Sequence, residues 1–227
     1  MRLEIHWRTE NGKRLPAALW RADPGYRMIS SGITGGGIGP RAWVLNAQVP
    51  GGYGRTDPAA HLAEIAGELN LTGTGVGMLT AAQVTDVVER DDEGVWAAAT
   101  VGLRVPTWAA APPGAVDPEL APDVQRASAV PPPGTINVIV TVPVALSDAA
   151  YVNAVTTATE AKTQAVIEAG YSGTGTATDA ICVGAPRADE TPQDFTGPRS
   201  LWGARIARAV HAAVYAGAVH YMEKLAR

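Results

Sequence analysis

The chain has 227 residues, of which 46% are hydrophobic and 18% charged, enough apolar material for one ordinary core. A formal net charge of -4 excludes the basic excess of a phosphate-backbone binder, so no nucleic-acid partner is expected. A single cysteine, Cys182, excludes an intrachain disulfide, a CxxC redox pair and a cysteine zinc site, which fits a cytoplasmic setting.

The N-terminus carries scattered charges without an apolar h-region. No segment reaches the roughly 18 uninterrupted apolar residues of a membrane span, so no membrane partner is expected. Leu3, Ile5 and Trp7 alternate with polar residues, the period-two pattern of a half-buried strand. Asn11-Gly12 reads as a hairpin turn before a second strand near Leu15 to Trp20. Met28-Ile29-Ser30-Ser31 leads into the loop Gly32 to Pro40, and Ala42 to Val49 reads as a strand.

Residues Pro58 to Asn70 place Leu62, Ile65, Ala66 and Leu69 on one helical face, with Asp57 as N-cap and proline at the first helical position. Val76 to Leu79 reads as a short strand, and Ala81 to Val84 as either its continuation or a helical turn. Asp91 to Gly94 reads as an exposed turn before a strand from Val95 to Leu103.

Eight prolines lie from Pro106 to Pro133, and periodicity disappears there. A loop over 104–134 is thus expected inside a single domain spanning 1–227, either as a lid, a binding loop or a mobile excursion. The strands on either side are expected to belong to one sheet.

Ile136 to Val142 is a β-branched run suited to a buried strand. Ser147 or Asp148 caps a helix to about Glu168, Gly170 fits its stop, and Ala180 to Val183 reads as a strand. From Leu201 to Leu225 the apolar spacing predicts a long amphipathic helix whose apolar face is either core or a dimer contact, so a homo-oligomer stays open. Strand and helix in alternation predict an α/β fold, a mixed β-sheet packed by helices with the proline-rich loop inserted.

No nucleotide fingerprint emerges. Gly35-Gly36-Gly37 lacks the GxGxxG register and Gly73, Gly75 and Gly77 are followed by no lysine, so both runs read as turns. His6, His61, His211 and His220 show no short metal-ligand spacing, and no protein-bound metal is expected. GxSxG is absent. Ser30 and Ser31 are either nucleophiles or oxyanion donors, or a strand end with local hydrogen bonds.

On the helix Asp148 to Glu168, Asn153, Thr157, Glu160 and Gln164 share a face, either a cleft wall or a solvated stripe. Thr174-Gly175-Thr176-Ala177-Thr178-Asp179 collects hydroxyls and one carboxylate before a strand. It is either a polar ligand turn or an aspartate bonded within its own turn.

Taken in order, Gly134 to Val140, Leu146 to Ala150, Asn153 to Val155 and Thr159 to Thr163 resemble the adenosylcobinamide amidohydrolases of the CbiZ type. The stretch Thr174 to Ala180, TGTATDA, is similar to that family's TGTGTDA, with Ala177 in place of a glycine. Val76 to Ala82, Ala99 to Leu103, Leu45-Asn46 and Val49 are similar to family segments in the same order, so the resemblance spans about Ser30 to Ala218. Arg199 stands where the family pattern carries a histidine, and Arg104 and Val105 where it has smaller polar residues.

The resemblance implies corrinoid salvage: hydrolysis of the aminopropanol amide of adenosylcobinamide to adenosylcobyric acid. The corrin cobalt belongs to the substrate and no separate cofactor is implied. Amide hydrolysis needs an activated water, an oxyanion stabiliser and a proton for the leaving amine. Glu160 or Asp179 is expected as general base and Asn153 and Thr178 to position the carbonyl, while Lys162 is expected either to protonate the amine, to pair with a corrin side-chain amide or to lie exposed. Ser30, Ser31, Asn46, Asn137, Thr163, Thr176 and Thr178 are expected to contact the substrate. The competing expectations are a corrinoid-binding protein that does not cleave its ligand, kept open by Arg199, and an amidase for a different amide.

Overall fold

The computed structural model describes residues 2–115, 134–187 and 191–226. Strands β1 (Glu4–Glu10) and β2 (Lys13–Arg21) form a hairpin. Its turn residues Asn11 and Gly12 both have positive φ, 49° and 74°, as a two-residue turn matched to strand twist requires. β3 (Tyr26–Ser30) and β4 (Gly37–Pro40) pair antiparallel, so the end of the glycine segment read as loop is a short edge strand. A four-residue strand with two glycines of its own carries no period-two signal.

β5 (Trp43–Gln48) and β6 (Val76–Thr80) run parallel and are joined by α1 (Pro58–Glu68). Asp57 stands at the N-cap of α1 but makes no side-chain cap, because its carboxylate is gripped by Arg55 at 2.9 and 2.8 Å. After β6 the chain makes a 3-10 turn at Val84–Asp86, so the strand does not continue. β7 (Val88–Asp92) and β8 (Val95–Val101) form a second hairpin turning on Glu93 and Gly94 alone, while Asp91 and Asp92 finish β7.

β9 (Ile136–Thr141) pairs antiparallel with β8, so the strands flanking the proline-rich loop share one sheet as expected. Residues 116–133, including Pro131, Pro132 and Pro133, lie outside the described residues. α2 (Asp148–Glu168) carries the chain from β9 to its parallel neighbour β10 (Ala180–Pro186), and α3 (Leu201–Leu225) closes the fold. Ser147 and Ser200 cap α2 and α3, accepting from the Ala150 and Gly203 amides at 3.2 and 3.1 Å.

The fold is mixed α/β, with its strands divided between two sheets, ordered β1-β2-β5-β6 and β4-β3-β10-β9-β8-β7. The layers follow from which faces are apolar. Leu62, Ile65 and Ala66 of α1 pack on Leu19, Leu45 and Ala47 of the smaller sheet. Trp20, Val44 and Met78 meet Trp96, Ala98, Ile139 and Cys182 between the sheets. On the far face, Val95, Ala97, Val138 and Val140 meet α2 and α3 through Ala154, Ala158, Ile206, Val210 and Val214.

β8 and β9 are buried on both faces, which explains their near-continuous apolar composition. The small residues on α3 permit close approach: a Cβ on Gly217 would come within 2.6 Å of Val101. The apolar face of α3, Ile206, Ala209, Val210, Ala213 and Val214, is thus core and not a dimer contact. No helix among the described residues is long and apolar enough to cross a membrane.

Candidate active site at one end of the sandwich

β9 and β10 run parallel, so their N-terminal ends lie side by side, and each is preceded by threonines. Asp179, one residue before β10, is the hub of this end. Its Oδ1 accepts from the Ile136 amide at 2.8 Å and the Thr176 hydroxyl at 2.6 Å. Its Oδ2 accepts from Lys162 Nζ at 2.5 Å and the Thr176 amide at 3.1 Å.

An ionised carboxylate has about four lone-pair sites, and here all are used. With its two oxygens filled by these four donors, Asp179 fixes the position of the Lys162 ammonium. The Lys162 ammonium also donates to the Thr174 carbonyl at 3.1 Å, and the Thr163 hydroxyl donates to the same oxygen at 3.1 Å. Side-chain exposures of 8% for Lys162 and 11% for Asp179 leave both nearly out of water.

Gly175 is required within this turn, because a Cβ there would collide with both Asp179 Oδ2 and Lys162 Nζ. Beside the hub, the Thr135 and Thr178 hydroxyls are hydrogen-bonded at 2.7 Å, Thr135 buried and Thr178 exposed. Sequence reading assigned Thr135 no role: its partner lies 43 positions away and only the pairing of β9 with β10 joins them.

Of the sequence candidates, this end gathers Asp179, Lys162, Thr163, Thr176 and Thr178. Glu160 is not among them. It lies two residues before Lys162 on α2, hence about 200° away around the axis. Exposed there, it lines a groove of about 330 Å³ with Gln164, Pro198, Arg208 and His211. Asn153, nine residues before Lys162, lies about 13 Å along the helix at about 1.5 Å per residue. Asn153 and Glu160 therefore lie off the Lys162 side of α2, while Glu160 and Gln164 share a shallow pocket with Thr163, whose hydroxyl reaches the turn.

Ser31 serves the backbone, its hydroxyl accepting from the Ile181 amide at 3.1 Å, and the Ser30 hydroxyl accepts from the Gly32 amide at 2.9 Å. These are strand-end hydrogen bonds. Asn137 donates to the Asn46 carbonyl oxygen at 2.9 Å, and Asn46 donates to Thr100 at 2.9 Å. This buried chain crosses from the larger sheet to the smaller and back. Cys182 is fully enclosed between the sheets, and burial pushes its thiol up to about 12, which removes it from nucleophilic chemistry.

A cleft of about 210 Å³ opens beside Gly134, lined among others by Gln83, Asp86, Gly102, Arg104, Tyr221 and Lys224. Lys224 is hydrogen-bonded to Asp86. Burial raises the Tyr221 phenol above its usual range, with Arg104 opposing the shift. Arg199 is exposed immediately before the Ser200 cap of α3. The four histidines are dispersed, and no group of three His, Cys, Asp or Glu among the described residues is close enough to hold a metal ion.

Comparison with known proteins supplies the class first: the chain is a hydrolase acting on a linear amide C–N bond. It belongs to the adenosylcobinamide amidohydrolase family, whose model matches residues 2–226. The adenosylcobinamide amidohydrolase of Methanosarcina mazei is 28% identical over 200 residues, covering 85% of this chain and 90% of that relative. The match extends the resemblance read from Ser30 to Ala218 to nearly the whole chain.

Proposed function

We propose that this protein hydrolyses the aminopropanol amide of adenosylcobinamide, giving adenosylcobyric acid and aminopropanol in cytoplasmic corrinoid salvage. The corrin cobalt enters and leaves with the substrate, and no separate cofactor is needed. The family match over residues 2–226 supports the substrate. The observation that carries the mechanism is the Lys162 ammonium, buried against Asp179 inside the turn that matches the family motif.

An ammonium has three donors, and two of those on Lys162 are used within the protein. The third donates to the substrate carbonyl oxygen as the carbon becomes tetrahedral, where a fixed positive charge away from water stabilises the oxyanion. Asp179 holds the ammonium in place and the Thr176 and Ile136 amides hold Asp179. The exposed Thr178 hydroxyl, oriented by Thr135, positions the attacking water. The hydroxyl pair passes the water's proton toward the departing amine, so the acyl carbon gains OH and the nitrogen gains H.

The test is incubation of purified protein with adenosylcobinamide, with chromatographic and mass detection of both products. Release of adenosylcobyric acid and aminopropanol in equal amounts is expected, with kcat reduced at least about 100-fold in Lys162→Gln, as for loss of an oxyanion donor. Binding without product would instead identify a non-catalytic corrinoid-binding protein. Turnover of unrelated amides with indifference to corrinoids would identify a different amidase.

A further inference from the structure

The chain has six tryptophans, and five have a partner for the ring or its N–H. Trp43 and Trp96 donate to the Thr72 carbonyl and to Glu89 at 3.1 and 3.0 Å. Trp20 meets Tyr26 edge to face, while Trp7 and Trp202 lie under Arg14 and Arg205. Trp108 has neither a hydrogen bond nor a ring or cation contact among the described residues, and it is 53% exposed.

A singly exposed apolar side chain is ordinary, so exposure decides nothing by itself. What sets Trp108 apart is the way its backbone is seated. On one side of it, the Thr107 amide donates to the Gly175 carbonyl and the Thr174 amide to the Thr107 carbonyl, both at 2.8 Å. On the other, the Ala109 amide donates to the Thr174 hydroxyl at 2.9 Å. Gly173 completes the seat, since a Cβ there would come within 2.9 Å of the Thr107 carbonyl oxygen and 3.0 Å of Pro106.

The same Thr174 gives its carbonyl to Lys162 and Thr163. An indole with no hydrogen bond or ring contact among the described residues is therefore fixed to the turn that holds the Lys162 ammonium.

We propose that Trp108 is a stacking platform for the adenine of the substrate's adenosyl group and sets the preference for adenosylated over non-adenosylated corrinoids. This rests on the corrinoid reading above. A corrin ring is rimmed by methyl groups and amide-bearing arms that hold a flat side chain off its face. Adenine is flat, aromatic and unencumbered, and stacking on an indole is the ordinary way that proteins hold a base without reading its edge.

The test compares wild type, Trp108→Ala and Trp108→Phe. Dissociation constants for adenosylcobinamide and cyanocobinamide are measured from the corrin spectrum, turnover of adenosylcobinamide is followed, and 5′-deoxyadenosine is titrated against tryptophan fluorescence. Trp108→Ala is expected to weaken adenosylcobinamide binding about 10-fold. It leaves kcat within about twofold and cyanocobinamide binding unchanged, and Trp108→Phe recovers most of the loss. 5′-Deoxyadenosine quenches wild-type fluorescence and not that of Trp108→Ala.

Equal weakening for both corrinoids would place the indole against the corrin and overturn the proposal. Unchanged adenosylcobinamide binding, or nucleoside quenching that persists in Trp108→Ala, would overturn it as well. A wild type that turns over no corrinoid would refute the hydrolase reading, while the nucleoside titration still reports on the indole.

Discussion

Asp179→Ala removes the acceptor of four hydrogen bonds at once. The Lys162 ammonium, 8% exposed, is left with the Thr174 carbonyl alone, and the Ile136 and Thr176 amides lose their acceptor. Breaking a buried ion pair from one side costs about 3–5 kcal/mol, and slight solvent access to both partners places this case near the lower figure, about 3 kcal/mol.

Lys162→Met is milder. Asp179 then keeps three donors and the methionine fills most of the lysine's volume, so the cost is about 1–2 kcal/mol. Once either partner is gone the other contributes little, so the double variant falls well short of the sum, with a coupling of about 1–2 kcal/mol. Urea unfolding at pH 7 is the assay, read as a shift of midpoint at constant slope. Strict additivity, or a Lys162→Met cost equal to that of Asp179→Ala, would refute the view of Asp179 as a hub saturated by four donors.

Other expectations concern neighbouring features. Gly175→Ala drives a methyl group into the Asp179 and Lys162 head groups and should cost about 2–3 kcal/mol in the same unfolding assay, as overpacking does. Glu160→Gln should retain near wild-type turnover of adenosylcobinamide, because Glu160 lies in the α2–α3 groove away from the turn; a loss of 100-fold or more would return it to the base role.

Hydrogen bonds from Arg208 hold the Asp92 carboxyl below its usual range. With the folded value below the unfolded one, this stabilisation is complete above about pH 4 and is lost as pH falls through the folded value. Arg208→Gln should therefore flatten the acid limb of stability below about pH 4, and only slightly, because the exposed arginine is screened by solvent. An unchanged acid limb in urea midpoints measured from pH 2 to 6 would contradict this.

Much of the framework was legible because its signals are local. The β-branched run at Ile136, the Ser147 cap and the apolar spacing of α3 each give an element within a turn or so of its observed ends. The division into two sheets was not legible, since strands buried on both faces look alike whichever sheet holds them. β4 and β7 were missed because one is glycine-rich and the other charged, and both owe their extended state to a neighbour.

The composition of the TGTATD turn left it open between a polar ligand turn and an aspartate bonded within its own turn; Asp179 is bonded within the turn and also to Lys162 and the Ile136 amide. The helix stripe was legible as one face. Shared periodicity puts Asn153, Thr157, Glu160 and Gln164 on one face but does not say which face meets the turn, and that face carries Lys162. Thr135 and Thr107 gave no usable sign, because each acquires its meaning from a partner tens of residues away, and Trp108 is seated through Thr107 and Ala109.

Gly102 and Gly134 sit so close that a Cβ on Gly134 would strike the Gly102 carbonyl, and the Gly102 amide donates to Thr135 at 3.0 Å. Whatever lies between them leaves and re-enters the sheet through this pinch, so its length is uncoupled from the pairing of β8 with β9. Closing a loop costs only about 0.6 kcal/mol more for each doubling of its length. The pinch thus acts as a socket: the sandwich beneath it is held by the pairing of β8 with β9 and by the Gly102–Thr135 hydrogen bond, whatever the length of chain that leaves it.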